Sequence, residues 1–175
     1  MLITMLGDMT AFIALVFGYF FYWTINEDFP PETSSGPGVL WPTVSAISLL
    51  GAWGLTVLAR RWNRGNQSTR FYLGLLIAVV LALAGVGALL AGPWVTGLDP
   101  TRHVYPATVW VLVLWTAVHV AAGVIMQLYC LTRRLAGRMT ARYDIDITNV
   151  ALYWHFIAIT VAITIGVIAG FPLVA

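Results

Sequence analysis

Phe71-Tyr-Leu-Gly-Leu-Leu-Ile-Ala-Val-Val-Leu-Ala-Leu-Ala-Gly-Val-Gly-Ala-Leu-Leu90 carries no charge and no proline. As a helix this run covers about 30 Å, the thickness of a bilayer's hydrocarbon core. It has no alternation of period two, so a barrel strand does not account for it. Ala82, Ala84, Gly85, Gly87 and Ala88 are small enough to let helix backbones approach closely, as membrane helices do. Four more runs share this character. Leu2 to Trp23 is interrupted only by Asp8. Val39 to Leu58 holds Pro42 near its start, where proline gives up no helical hydrogen bond. Val104 to Leu131 and Asn149 to Gly170 complete the set, the last ending in Gly166-x-x-x-Gly170. The expectation is an all-α integral membrane bundle, one domain over residues 1–175, with transmembrane helices at about 2–23, 39–58, 71–90, 104–131 and 149–170.

Composition agrees. Of the 175 residues 60% are hydrophobic and only 9% charged, against about a quarter charged in a soluble domain, so little chain is left for a domain outside the bilayer. All nine basic residues are arginine. Arg60, Arg61, Arg64 and Arg70 flank the second connection, and Arg133, Arg134, Arg138 and Arg142 flank the fourth. The first connection holds Glu27, Asp28 and Glu32, the prolines Pro30 and Pro31, and the turn-forming stretch Thr33 to Gly38, with no base. The positive-inside rule then puts the amino terminus inside and the carboxyl terminus outside, with Trp23, Trp41, Trp94 and Tyr105 at the outer interface. A net charge of +2 without a basic stripe points to no nucleic-acid partner. Met1 to Thr10 lacks a basic n-region, so the first run reads as a retained helix and not as a removable signal.

Few side chains could carry chemistry. The lone Cys130 excludes an internal disulfide and a thiolate metal cluster. The histidines are His103 in an outer loop, His119 within the fourth run and His155 near the start of the fifth. Two membrane histidines raise the possibility of a small haem-b anchor exchanging electrons with quinone. Their depths argue otherwise. His119 lies about 18 Å from an inner end at Leu131 and His155 about 9 Å from Asn149, whereas two nitrogens on one metal lie about 4 Å apart. Asp8 is the only acid inside an apolar run. It either caps a helix that starts just after Gly7 or pairs with a buried group, and His119 is the candidate partner. No phosphate loop, nucleophile with a base in register, or carboxylate cluster is present, and the broken helices or half-repeats of a transporter are missing. The aromatic stripe Phe17, Tyr19, Phe20, Phe21 and Tyr22 reads as packing.

His119-Val-Ala-Ala-Gly123, then Cys130, Arg133 and Tyr153-Trp154-His155-Phe156, resemble the end of subunit III of the haem-copper oxidases, the cytochrome c oxidase subunit III family. That family has a similar His-Val-x-x-Gly followed 36 residues later by the histidine of Tyr-Trp-His-Phe, the separation of His119 and His155 here. Val104-Tyr105, Gly65-Asn66 and Asp8, which falls where the family has a membrane-embedded glutamate, extend the similarity over nearly the whole chain. The chain departs from the family at Thr148 and Ala158, where relatives carry acids. Full-length members have seven helices; this chain resembles the last five, as in some bacterial members.

The resemblance implies an accessory subunit, without cofactors of its own, of a proton-pumping terminal oxidase that reduces oxygen to water. Haem and copper are expected in partner chains, subunits I and II, in the plasma membrane of a bacterial cell. It also implies phospholipid in a cleft, with Arg133 engaging a phosphate at the inner end of the fourth helix. An intramembrane pair of Asp8 and His119 is expected, and no catalytic or metal-ligating residue. Small residues on the third and fifth helices suit lateral packing against the partner.

Overall fold

The computed structural model describes residues 1–31 and 36–173; Glu32, Thr33, Ser34 and Ser35 of the first connection lie outside the described residues. The described chain is all-helical. Its five long helices are α1 (Leu2–Ile25), α2 (Leu40–Arg64), α3 (Ser68–Val95), α4 (Val104–Leu135) and α5 (Ile145–Ile165). Each of the five spans is long and apolar enough to cross a membrane.

Several expected boundaries move toward the arginines. α2 continues to Arg64 and α4 to Leu135, and each ends with two arginines in its last turn, where positive charge meets the free carbonyls of the helix dipole. α5 starts at Ile145, four residues earlier than the apolar run, with Asp146 in its first turn. At the far end the fifth run does not stay α-helical. Gly166–Gly170 is a turn of π-helix, followed by a 3-10 turn over Phe171–Leu173. A Cβ on Gly166 or Gly170 would meet nothing within the chain, so this glycine pair makes no close helix contact here.

The tightest pairing is α2 against α3. α2 buries Ser45, Leu49, Ala52, Thr56, Ala59 and Asn63, a heptad-like seam. α3 meets it with Gly74, Ala78, Ala82, Gly85 and Ala88. A Cβ on Gly74 would fall 2.3 Å from the Trp62 ring, and one on Gly85 would fall 2.6 Å from Leu49. The small residues of α3 are therefore largely consumed inside the chain; Ala84 and Gly87 face out. Both α2 and α4 pack on α5, and α3 packs on α4.

α1 stands apart. It leans on α4 and, lightly, on α5, and only Phe12 and Tyr19 along it are buried. At the end away from the two arginine-rich connections, Tyr19 sits among Phe29, Tyr105 and Phe171, with ring centroids 5.1 to 6.4 Å from its own. Tyr105 is fully buried there, which corrects its expected place at the outer interface; as the second residue of α4 it points into the bundle. From the aromatic stripe, Tyr19 and Phe20 pack inward, whereas Phe17, Phe21 and Tyr22 are exposed.

Candidate functional site

α1 begins at Leu2, with Met1 as its N-cap. Asp8 is thus well inside the helix, where the backbone amides are already bonded, and the capping role is excluded. Its carboxylate instead faces α4: Oδ2 lies 3.8 Å from Nε2 of His119. This is ion-pair distance, a little beyond a direct hydrogen bond. The other ring nitrogen of His119 is 2.8 Å from the Trp115 carbonyl, to which it must donate, because a carbonyl only accepts. The imidazole lies between Trp115 and Phe156, at 4.5 and 5.7 Å between centroids.

The two motifs meet. Trp154 is fully buried and its indole N–H points to the Gly123 carbonyl at 3.4 Å, across 31 residues of sequence. Gly123 makes this possible, since a Cβ there would lie 2.7 Å from Ile157 and 3.2 Å from the Trp154 ring. Phe156 touches His119, and Tyr153 packs beside Phe156. His155 does not join this cluster. It is exposed, its Nδ1 donates to the Ala151 carbonyl at 2.6 Å, and its ring meets Trp53 of α2 at 5.6 Å. The two membrane histidines therefore turn to different neighbours, α1 for His119 and α2 for His155. His103 is the N-cap of α4, its Nδ1 accepting the Tyr105 amide. Among the described residues no three His, Cys, Asp or Glu side chains converge. Cys130 is buried in the core.

Arg133 is held within the chain. Its Nε lies 3.1 Å from Asp146, an ion-pair contact not aligned as a hydrogen bond. Its Nη1 donates to the Tyr129 hydroxyl, and the guanidinium lies over that ring. A second bridge joins Arg64 to Asp144 at the start of α5. Partial burial would raise the Asp144 carboxyl. The hydrogen bond and charge of Arg64, with help from Thr148 and Arg60, outweigh that and hold it below the usual carboxylate range. Arg134 ties the two arginine-rich connections together, donating to Met139 O, Asn66 Oδ1 and Ser68 Oγ. Asn63 Nδ2 donates to Thr140 O beside it.

Two polar contacts in the core escaped the sequence reading. Gln127 Nε2 donates to Thr56 Oγ1 at 2.7 Å, linking α4 to α2, and the hydroxyls of Thr116 and Thr164 lie 3.0 Å apart between α4 and α5. Both sets are buried. The available signal was the presence of Gln127 in an otherwise apolar run, since an intramembrane amide needs a partner. Nothing along the sequence singles out Asp146 for Arg133.

Compared with known proteins, the chain matches no family model, and no curated protein matches it. The resemblance stated above rests on the motif residues, and their contacts are those just described.

Proposed function

We propose that this chain is subunit III of a haem-copper terminal oxidase, an accessory subunit without cofactors of its own. Its partners are subunits I and II, which carry the haem and copper and reduce oxygen to water while pumping protons. The membrane is the bacterial plasma membrane, with the arginine-rich end inside. The observation that carries the reading is the meeting of the two motifs: His119 and Gly123 of α4 pack against Trp154 and Phe156 of α5, and α1 brings Asp8 to His119. Residues that resemble one family in spacing thus also form one contact site, with the family's acid position at its edge.

The role that follows is mechanical and electrostatic. The site joins three helices inside the membrane and keeps a titratable pair beside the catalytic subunit, where it helps sustain proton uptake. Phospholipid covers the apolar flanks, with Arg133 as the phosphate contact at the inner end.

Tagging the chain and purifying it from its own membranes in mild detergent tests the proposal. Haem-copper subunits I and II are expected to co-purify. Recovery of the chain without any haem-copper subunit overturns it, and a stoichiometric Soret band on the isolated chain favours a haem-b anchor instead.

A further inference from the structure

α4 opens on a histidine, where Ser, Thr, Asp or Asn is the usual cap. His103 has extended backbone, and its Nδ1 accepts the Tyr105 amide at 3.1 Å. An accepting ring nitrogen must be bare, so the capping imidazole is neutral with its proton on Nε2. Pro106 has no N–H and Ala107 donates to the His103 carbonyl, which leaves Val104 and Tyr105 as the first-turn amides that need a partner outside the helix. Tyr105 is fully buried, so water cannot replace the imidazole unless the start of the helix opens. The same residue sets its ring against Tyr19 of α1 and Phe29 of the first connection, and a Cβ on Gly36 would lie 2.9 Å from its hydroxyl. One ring nitrogen thus holds the place where α1, α4 and the first connection meet.

We infer that His103 is a pH-sensitive cap, which releases the start of α4 and loosens the aromatic cluster beneath it when the imidazole gains a second proton. The ring is half-buried and so within reach of protons from water. The second proton goes to Nδ1, the one free lone pair, and sets N–H against N–H where a hydrogen bond stood. The imidazolium also faces the positive end of the helix dipole. No carboxylate offsets it among the described residues: Asp99 is engaged by Arg102 and Thr101, and Glu27 and Asp28 make no ion pair with it. Tyr19 and Tyr105, the titratable groups of the cluster, are phenols, which ordinarily ionise only near pH 10. The cap therefore holds at neutral and alkaline pH and is lost on acidification, within the range of about pH 5 to 8 where imidazole changes charge. That this end meets the side receiving pumped protons rests on the function proposed above; the cap and the direction of its response do not.

Hydrogen-deuterium exchange at the start of α4 tests this, measured on the full chain in lipid nanodiscs at pH 8 and pH 5 and corrected for the intrinsic exchange rate at each pH. Protection of the Tyr105 amide should fall about fivefold at pH 5, the scale of one N-cap. His103→Ala should show the lower protection at both pH values. His103→Asn, whose amide oxygen accepts at either pH, should show no fall. Equal protection of the parent protein at the two pH values overturns the inference. So does a fall in His103→Asn as large as the parent's, which puts the titration elsewhere, or a His103→Ala protein that keeps the parent's protection at pH 8. None of these outcomes requires subunits I and II, so failure here leaves the proposed function to the co-purification experiment.

Discussion

Asp8 on α1 and His119 on α4 face one another inside the bundle, Oδ2 to Nε2 at 3.8 Å. The Nδ1–H of His119 donates to the Trp115 carbonyl, which turns Nε2 toward the Asp8 carboxyl of α1. Each is a polar group in an otherwise apolar helix, and a group of that kind is costly in hydrocarbon unless it meets another.

Replacing Asp8 by Asn keeps a donor for Nε2 but removes the titratable acid. Asp8→Asn should therefore leave folding intact and, on the proposed function, leave assembly with subunits I and II intact while the purified complex inactivates faster during turnover. Asp8→Leu orphans Nε2 and should destabilise the chain by about 1–3 kcal/mol relative to Asp8→Asn, read as a lower unfolding midpoint in detergent.

Thr56 and Gln127 should respond unequally. Thr56 donates to the Ala52 carbonyl and accepts from Gln127, while Gln127 Oε1 has no partner. Thr56→Val strips the buried amide of its acceptor and should cost about 1–3 kcal/mol. Gln127→Leu removes the whole amide, leaves the Thr56 bond in place, and should stay within about 1 kcal/mol of the parent. Chemical denaturation of the three proteins in one detergent decides it.

Acid should loosen the arginine-rich end. The Asp144 carboxyl is held low in the folded chain by Arg64 against the opposing effect of burial. Its stabilising contribution is therefore present above the unfolded carboxylate value, about 3.9, and is lost as pH falls from there through the folded one. Thermal unfolding followed from pH 7 to pH 3 should show a steeper acid loss in the parent than in Asp144→Asn.

Asp146 holds the Arg133 guanidinium that the proposed function assigns to phosphate. Asp146→Asn frees the guanidinium and should raise the amount of phospholipid retained on purification, and Arg133→Ala should lower it. Mass spectrometry of lipids extracted from matched preparations gives the comparison; equal lipid in all three would leave Arg133 as a charge anchor only.

Gly123 tolerates little. A leucine there would drive its side chain into Trp154 and Ile157 and force α4 from α5, at a cost of about 1–3 kcal/mol or more. Gly87→Leu, on an open face, should cost less. Proteolytic susceptibility in detergent separates the two.

The spans were legible because hydropathy and length alone decide them: Phe71 to Leu90 has no reading other than a buried or membrane helix. Their ends were less so, since Arg61, Arg64, Arg133 and Arg134 are good helix formers whose charges look like loop residues in a hydropathy profile. The Asp8 and His119 contact was legible as a problem of two polar groups in apolar runs. The burial of Tyr105 was not, because a tyrosine at a helix start suits an interface and a core equally well until the neighbours, here Tyr19 and Phe29, are known. The direction of His155 escaped for a similar reason, since its place in the motif says nothing about which side of α5 meets Trp53 of α2.

The separation of α1 from its partners has a consequence for biogenesis. α1 is synthesised well before the helices it rests on, α4 and α5. More than a hundred residues lie between Asp8 and His119, and at roughly 5–20 residues per second that is a wait of about 5–20 s. Through that interval the Asp8 carboxyl has no His119 imidazole beside it. The α2 and α3 hairpin, joined by a short connection, can close while α1 waits, and α1 docks on α4 and α5 only once they have been made.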